Sequence, residues 1–380
     1  MSWRQWFQRA LSSPPPSRYD QPMPPEPGDV LTALSVVRDP DLHRDIVSLG
    51  FIKDLQVTDG RVSFAIELTT PACPVKDQMR AQAEAAVRAV PGVTEVAVTM
   101  TARVRESVTD GSRQPLPGVK NIIAVGAGKG GVGKTTLSVN LALALARSGS
   151  RVGIIDGDIY GPNIPIMLGL QTRLETDGQK IVPAEKYGLQ VVSMGFLTDE
   201  GAPIIWRGPM LHSALQQFFR EVRWLDLDYL IIDMPPGTGD VALSLGQSVP
   251  VAGAIVVTTP QQVSLADSRR AIAMYAKLNI PTLGVIENMS YFACTSCGQE
   301  ADLFGRGGGE AMAEALGVPF LGRIPLYQPI REGGDSGIPV VISEPEAPAA
   351  QAIMAAAAQA AAQVSIKSYV PPVIPLTPVS

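Results

Sequence analysis

The nine residues "GKGGVGKTT", Gly128 to Thr136, fit the pattern G-x-x-x-x-G-K-[ST] through Gly128, Gly133, Lys134 and Thr135. They follow an apolar run, "NIIAVGAG", and open a stretch with helical character, the context that turns such a pattern into a phosphate site. Glycines let backbone N–H groups converge on phosphate oxygens, and a helix N-terminus adds positive partial charge. Gly128, Lys129, Gly130, Gly131, Val132, Gly133, Lys134, Thr135 and Thr136 are therefore candidate nucleotide-binding residues. Lys134 is expected to bridge the β- and γ-phosphates of ATP, and the Thr135 hydroxyl to coordinate Mg2+. The competing reading is a glycine-rich strand–helix turn without a ligand.

Outward from this loop, "RVGIIDGD", "LQVVSM", "YLIIDMP", "GAIVVTTP", "LGVIENM" and "FLGRIP" are near-continuous apolar runs alternating with helical stretches. That pattern predicts a doubly wound, mostly parallel α/β sheet covered on both faces. "LIIDMPPGTGD" ends its apolar run in Asp233, in the manner of a Walker B strand, which would hold Mg2+ through water. Pro235, Pro236 and Gly237 then form a stiff loop where a γ-phosphate would sit. "GIIDGDIYGPNIP" places Asp156 and Asp158 just beyond another strand. Two carboxylates so close suit a cation and an attacking water, so Asp156 is a candidate metal ligand and Asp158 a candidate for orienting the water. Ordinary strand-end capping is the bland alternative.

The rest of the 380-residue chain divides by composition. Residues 1–28 form a Pro-rich extension headed by "MSWRQWFQRAL", whose apolar residues recur at helical spacing; a frayed end, a surface-seeking peptide and a transit peptide all fit it. Residues 29–105 read as a small α/β unit with a hairpin at Thr58-Asp59-Gly60. Residues 106–120 read as a linker, 121–343 as the nucleotide-binding domain, and 344–380 as an Ala-rich helix with a Pro-rich tail. Net charge is −5, which gives no sign of a nucleic-acid-coating surface. No apolar run approaches 18 residues, so a membrane span is not expected. Three cysteines in such a chain point to a reducing, cytoplasmic compartment rather than a disulfide framework. His43 and His212 stand isolated and read as structural.

"YFACTSCGQE", Tyr291 to Glu300, holds Cys294 and Cys297, half of a tetrahedral thiolate site. Lys129, inside the phosphate loop, is a second lysine that a plain loop does not need. With it, the loop is similar to the deviant Walker A of the MinD/ParA/NifH group of dimeric ATPases. That resemblance implies a nucleotide-sandwich homodimer in which Lys129 acts on the partner's nucleotide. A two-fold axis would bring two CxxC pairs together, enough for a 4Fe–4S cluster or a zinc ion.

"GPNIP", "DMPPGTGD", "ENMSYFACTSCG", "LFGRGGGEAMAEALGVPFLGRIPL" and "REGGDSGIPV" together resemble the Mrp/ApbC family of ATP-binding iron–sulfur cluster carriers, over residues 118 to about 343. "DPDL" and "TTPACP" resemble the small iron–sulfur-assembly domain often fused in front. The resemblance implies slow ATP hydrolysis, a labile 4Fe–4S cluster bridging a homodimer, receipt from a cluster-assembly scaffold and delivery to apo-proteins. It also implies an adenine contact by Asn288 and a base-lining role for Pro325. One departure is Thr295, where the family's loop usually has proline; both sulfurs remain, but the ring that would fix the backbone is missing. Cys73 precedes a helix and reads either as a transfer thiol or as a structural cysteine. The alternative function is a MinD/ParA-like positioning ATPase whose CxxC is structural or binds zinc.

Overall fold

The computed structural model describes residues 25–107, 113–158, 161–178, 180–196, 216–237, 240–294 and 296–369. The N-terminal peptide, His212, Thr295 and the Pro-rich tail after Tyr369 lie outside the described residues. The chain forms two compact units, Met1–Glu67 with Val75–Thr101, and Leu68–Pro74 with Ala102–Ser380.

In the smaller unit, helix α1 (Pro27–Leu34) starts with proline at its first turn, where the missing N–H costs nothing. Strands β1 (Ile52–Thr58) and β2 (Arg61–Leu68) pair antiparallel around the expected turn. Val62, Phe64, Ile66 and Leu68 are buried and alternate with more exposed neighbours, as a strand with one covered face requires. Helix α2 (Lys76–Arg88) buries Met79, Ala83 and Val87, and β3 (Glu95–Ala102) completes a sheet of order β1-β2-β3.

The larger unit starts its sheet with β4 (Val119–Ala127), followed by α3 (Lys134–Arg147), β5 (Val152–Asp156) and a short α4 (Ile164–Met167). The ribbon β6 (Glu175–Asp177) and β7 (Lys180–Val182) precedes β8 (Ala184–Lys186) and β9 (Leu189–Ser193). Then come β10 (Leu227–Asp233), α5 (Asp240–Ser248), β11 (Val251–Thr258), α6 (Gln262–Lys277) and β12 (Thr282–Glu287). The chain finishes with the short β13 (Phe292–Ala293) and β14 (Glu300–Ala301), α7 (Gly308–Leu316), β15 (Phe320–Arg323), α8 (Gln328–Ser336), α9 (Val340–Ser343) and α10 (Pro348–Ser368). The main sheet has the order β15-β12-β11-β4-β10-β5-β9-β8. Every pairing is parallel except that of the edge strand β8 with β9. The expected doubly wound architecture is present. Along β4, Ile123, Val125 and Ala127 face one core and Ile122 and Ala124 the other, which explains why these strands read as unbroken apolar runs. After β4 the chain runs to one side of the sheet and after β10 to the other, so a crevice opens at the carboxyl ends of the central strands.

Three boundaries differ from the sequence reading, the first because Leu68–Pro74 and residues 102–105, read as part of the small unit, belong to the larger one. Within 106–120, Leu116 is buried in a core and Ser107 Oγ donates to Asn121 Oδ1 at 2.5 Å, so the supposed linker is partly docked. The Ala-rich segment beyond 343 is core: Ala350, Ile353, Ala357 and Ala361 of α10 are buried, and α10 packs on α3 and β15. Alanine allows this because its small side chain lets helix axes approach. By length and composition α10 could cross a bilayer, but most of its alanines are buried inside the protein.

Candidate functional site

The phosphate-loop residues sit where the sequence puts them, between the end of β4 and the first turn of α3. Gly131 and Gly133 take φ of 78° and 82°, the left-handed region that glycine enters without penalty. A Cβ on Gly133 would overlap the Asn288 amide, and one on Gly128 would overlap the backbone at Asp267 and Ser268.

Beneath the loop, Lys134 is buried, with Nζ 2.8 Å from Asp233 Oδ2 and 3.8 Å from Asp158 Oδ2. The Thr135 hydroxyl donates to Asp233 Oδ2 at 2.7 Å, and Ser138 donates to Asp233 Oδ1 at 2.6 Å. Asp156 is the register partner of Asp233 on the adjacent strand. Its Oδ2 accepts from the Ile164 N–H and from Ser193 Oγ, each at 3.1 Å, while its buried Oδ1 has no partner. Burial, and then the neighbouring Asp233 charge, push Asp156 up to about 7. An oxygen-only set with one orphaned carboxylate oxygen fits a hard divalent cation such as Mg2+. Gly237 donates its N–H to the Ala127 carbonyl at 3.0 Å, stitching the loop after β10 to the phosphate-loop strand. Lys129 is half-buried and, among the described residues, makes no hydrogen bond or ion pair.

Next to these groups is a cavity of about 490 Å³ lined by Thr135, Thr136, Asn288, Met289, Pro325 and Tyr327, among others. Asn288 also donates its side-chain amide to the Val132 carbonyl at 2.8 Å. The structure thus brings Asn288 and Pro325, distant in sequence, to one wall beside the phosphate loop. Sequence reasoning missed Ser138, Ser193 and the wall formed by Tyr327, Ile330 and Arg331. Ser138 had a signal: it lies one helical turn after Lys134, on the same face.

Cys294 and Cys297 occupy a separate position, at the tip of the β13–β14 hairpin that leaves the end of β12. The Cys294 N–H donates to the Gln299 carbonyl at 3.1 Å, and the Gly298 N–H to the Cys294 carbonyl at 2.9 Å. The N–H groups of Cys297 and Ser296, with the Cys297 side chain, hold the Cys294 thiol below its ordinary range. Arg306 braces the hairpin, stacked 4.6 Å over the Tyr291 ring and paired with Glu300 at 2.8 Å. Both cysteines are free, and among the described residues no third His, Cys, Asp or Glu joins them in a group that could hold a metal ion. One chain therefore offers two sulfurs here, half of a four-coordinate site.

Cys73 is buried in Leu68–Pro74, a segment tied into the larger unit through Ala72 in its core and a 3.3 Å bond between Thr70 and Tyr229 hydroxyls. His43 takes a left-handed φ of 53° beside Asp39, whose Oδ1 accepts the Asp41 and Leu42 N–H groups.

Residues 118–361 match the family described as NUBPL iron-transfer P-loop NTPase, and residues 28–98 match one described as iron-sulfur cluster assembly protein. An iron-sulfur cluster carrier protein of Synechocystis sp. is 49% identical over 347 residues, covering 90% of this chain and 98% of that one. The chloroplastic Fe-S cluster assembly factor HCF101 of Arabidopsis thaliana is 45% identical over 323 residues, covering 83% of this chain and 60% of that one. A solved nucleotide-binding protein of Archaeoglobus fulgidus, in complex with ADP, aligns with a TM-score of 0.54 at 35% identity, over 61% of this chain and 91% of that one.

Proposed function

We propose, from the premise that this chain belongs to the NUBPL iron-transfer P-loop NTPase family, that it is an ATP-hydrolysing carrier of a labile 4Fe–4S cluster. The observation that supports the reading is that one folded unit holds both the glycine-rich loop, with Lys134 and Thr135 against Asp233, and a two-thiol hairpin beside which no further metal ligands gather among the described residues. The phosphates of ATP enter the loop from Gly128 to Thr136, and Lys134 shifts from Asp233 toward the β- and γ-oxygens. Thr135, Asp233 and Asp156 would hold Mg2+, which offsets charge on the phosphates. Asp158 accepts a hydrogen bond from the attacking water and orients it, with the Gly237 loop facing the γ-phosphate. The base fills the cavity against Pro325 and Asn288. Lys129, with no partner in its own chain among the described residues, reaches the nucleotide of a second copy. Hydrolysis is slow, a timing step rather than a metabolic conversion.

The cluster is cargo. In a homodimer, Cys294 and Cys297 of each copy supply four thiolates, and the lowered Cys294 thiol is ready to ligate. The carrier receives the cluster from an assembly scaffold in the cytoplasm and passes it to apo iron–sulfur proteins. The test is anaerobic reconstitution with iron and sulfide, beside a Cys294→Ala/Cys297→Ala double variant. About four iron and four sulfide per dimer, lost in the variant, are expected. Bound zinc, or no metal, would favour a positioning ATPase with a structural CxxC.

A further inference from the structure

Glu287, the last residue of β12, is fully buried, yet the nucleotide chemistry above does not use it. A buried carboxylate needs compensation, and among the described residues no cation pairs with it. Its partners are instead the Ser290 hydroxyl at 2.5 Å, the Gly307 N–H at 2.8 Å and the Gly309 N–H. Gly307 and Gly309 are the N-cap and second residue of α7, so Glu287 caps that helix from a neighbouring strand. A side chain at Gly309 would press on Glu287, its Cβ lying 3.0 Å from the Glu287 Cβ. Ser290 precedes the cysteine hairpin and Gly307 follows it. One carboxylate thereby ties both roots of the segment that carries both cysteines.

The same strand end also grips the nucleotide site. Asn288, the next residue, holds the Val132 carbonyl of the phosphate loop. The Leu326 N–H donates to the Tyr291 carbonyl at 2.7 Å and the Ile324 N–H to the Glu287 carbonyl at 2.9 Å. Pro325 and Leu326 between them line the cavity. Cavity wall and hairpin stalk thus share one hydrogen-bond ladder.

We infer that Glu287 is the positioning residue that fixes the cysteine hairpin to the nucleotide-binding frame, so that nucleotide occupancy governs how Cys294 and Cys297 are presented. This rests on reading those cysteines as the cargo site. Its test does not need the cargo: iodoacetamide alkylation of Cys294 and Cys297 in the metal-free full chain, followed by mass spectrometry with and without ATP. In the parent, ATP should change the alkylation rate. Glu287→Gln keeps the volume but turns one acceptor into a donor facing an N–H. It should raise the rate about tenfold and abolish the response to ATP, while the ATP dissociation constant stays within about twofold. Ser290→Ala, which leaves the carboxylate in place, should shift both readouts the same way by less, and it decides alone if the Gln variant does not fold. Parental alkylation and ATP response in the variants, or ATP affinity falling in step with them, would overturn the assignment. Iron and sulfide uptake by the parent, measured alongside, reports separately: no uptake removes the carrier reading without changing the alkylation result.

Discussion

Lys134 Nζ lies 2.8 Å from Asp233 Oδ2, and both side chains are buried. Without nucleotide the two charges satisfy each other, so an incoming phosphate competes with Asp233 for the lysine. Lys134→Ala should therefore act twice. ATP turnover should fall about 10²–10³-fold, the usual effect of removing one such donor. The nucleotide-free protein should also lose about 3 kcal/mol, because the Asp233 charge stays buried without its cation. Turnover assays and denaturant melts check the two effects separately. Parental turnover would remove Lys134 from the phosphate site.

Gly133 and Gly131 both take left-handed backbone, but only Gly133 is crowded: a Cβ there overlaps Asn288, whereas at Gly131 nothing lies within 4 Å. Either alanine carries backbone strain of about 1–2 kcal/mol. Gly133→Ala must also displace Asn288 from the Val132 carbonyl, so its ATP affinity should fall by at least about tenfold more than that of Gly131→Ala. Calorimetric titration of both variants checks this. Equal losses would mean that the Asn288 contact carries no weight.

The large sheet was legible because strands covered on both faces have to be apolar throughout, and the phosphate loop because its glycines and Lys134 fall at fixed spacing between a strand and a helix. Asp156 and Asp233 were legible as the polar ends of those runs. Their orphaned and satisfied oxygens were not, since Ser193 reaches Asp156 from 37 residues away and Ser138 reaches Asp233 from 95. Glu287 was unreadable for the same reason: it also ends an apolar strand, but its partners Gly307 and Gly309 lie 20 and 22 residues further along the chain. The burial of α10 was hidden as well, because alanine favours helix without saying which helix it will face.

Asp156 makes folding depend on pH in a specific direction. Its folded value is raised to about 7 by burial and by Asp233, above its unfolded value of about 3.9. The group therefore favours folding most below about pH 4, and that contribution is lost as pH rises to about 7. Asp156→Asn, which can still accept from Ile164 and Ser193, should stabilise the nucleotide-free protein at pH 8 by about 2–4 kcal/mol. The gain should shrink steadily as pH falls from about 7 toward 4. Melting curves of both proteins across that range test it, and a gain independent of pH would show that Asp156 does not titrate there. The same variant should bind Mg2+-ATP more weakly, since the orphaned oxygen offered to the cation is gone.

Cys294 is expected to be the more readily ionised thiol because N–H groups of Cys297 and Ser296 point at its sulfur. Backbone donors stay in place only while the hairpin is folded, so the effect should vanish on denaturation. In the native metal-free protein the alkylation rate of Cys294 should reach half its maximum below the pH of an ordinary thiol, about 8.5. In urea the midpoint should return to that value. Cys297→Ser should raise the native midpoint only in part, because the backbone donors remain. Since ligation needs the thiolate, the native chain should take up metal at a lower pH than a peptide carrying the same CxxC. A native profile identical to that in urea would mean that the hairpin does not prepare Cys294 for ligation.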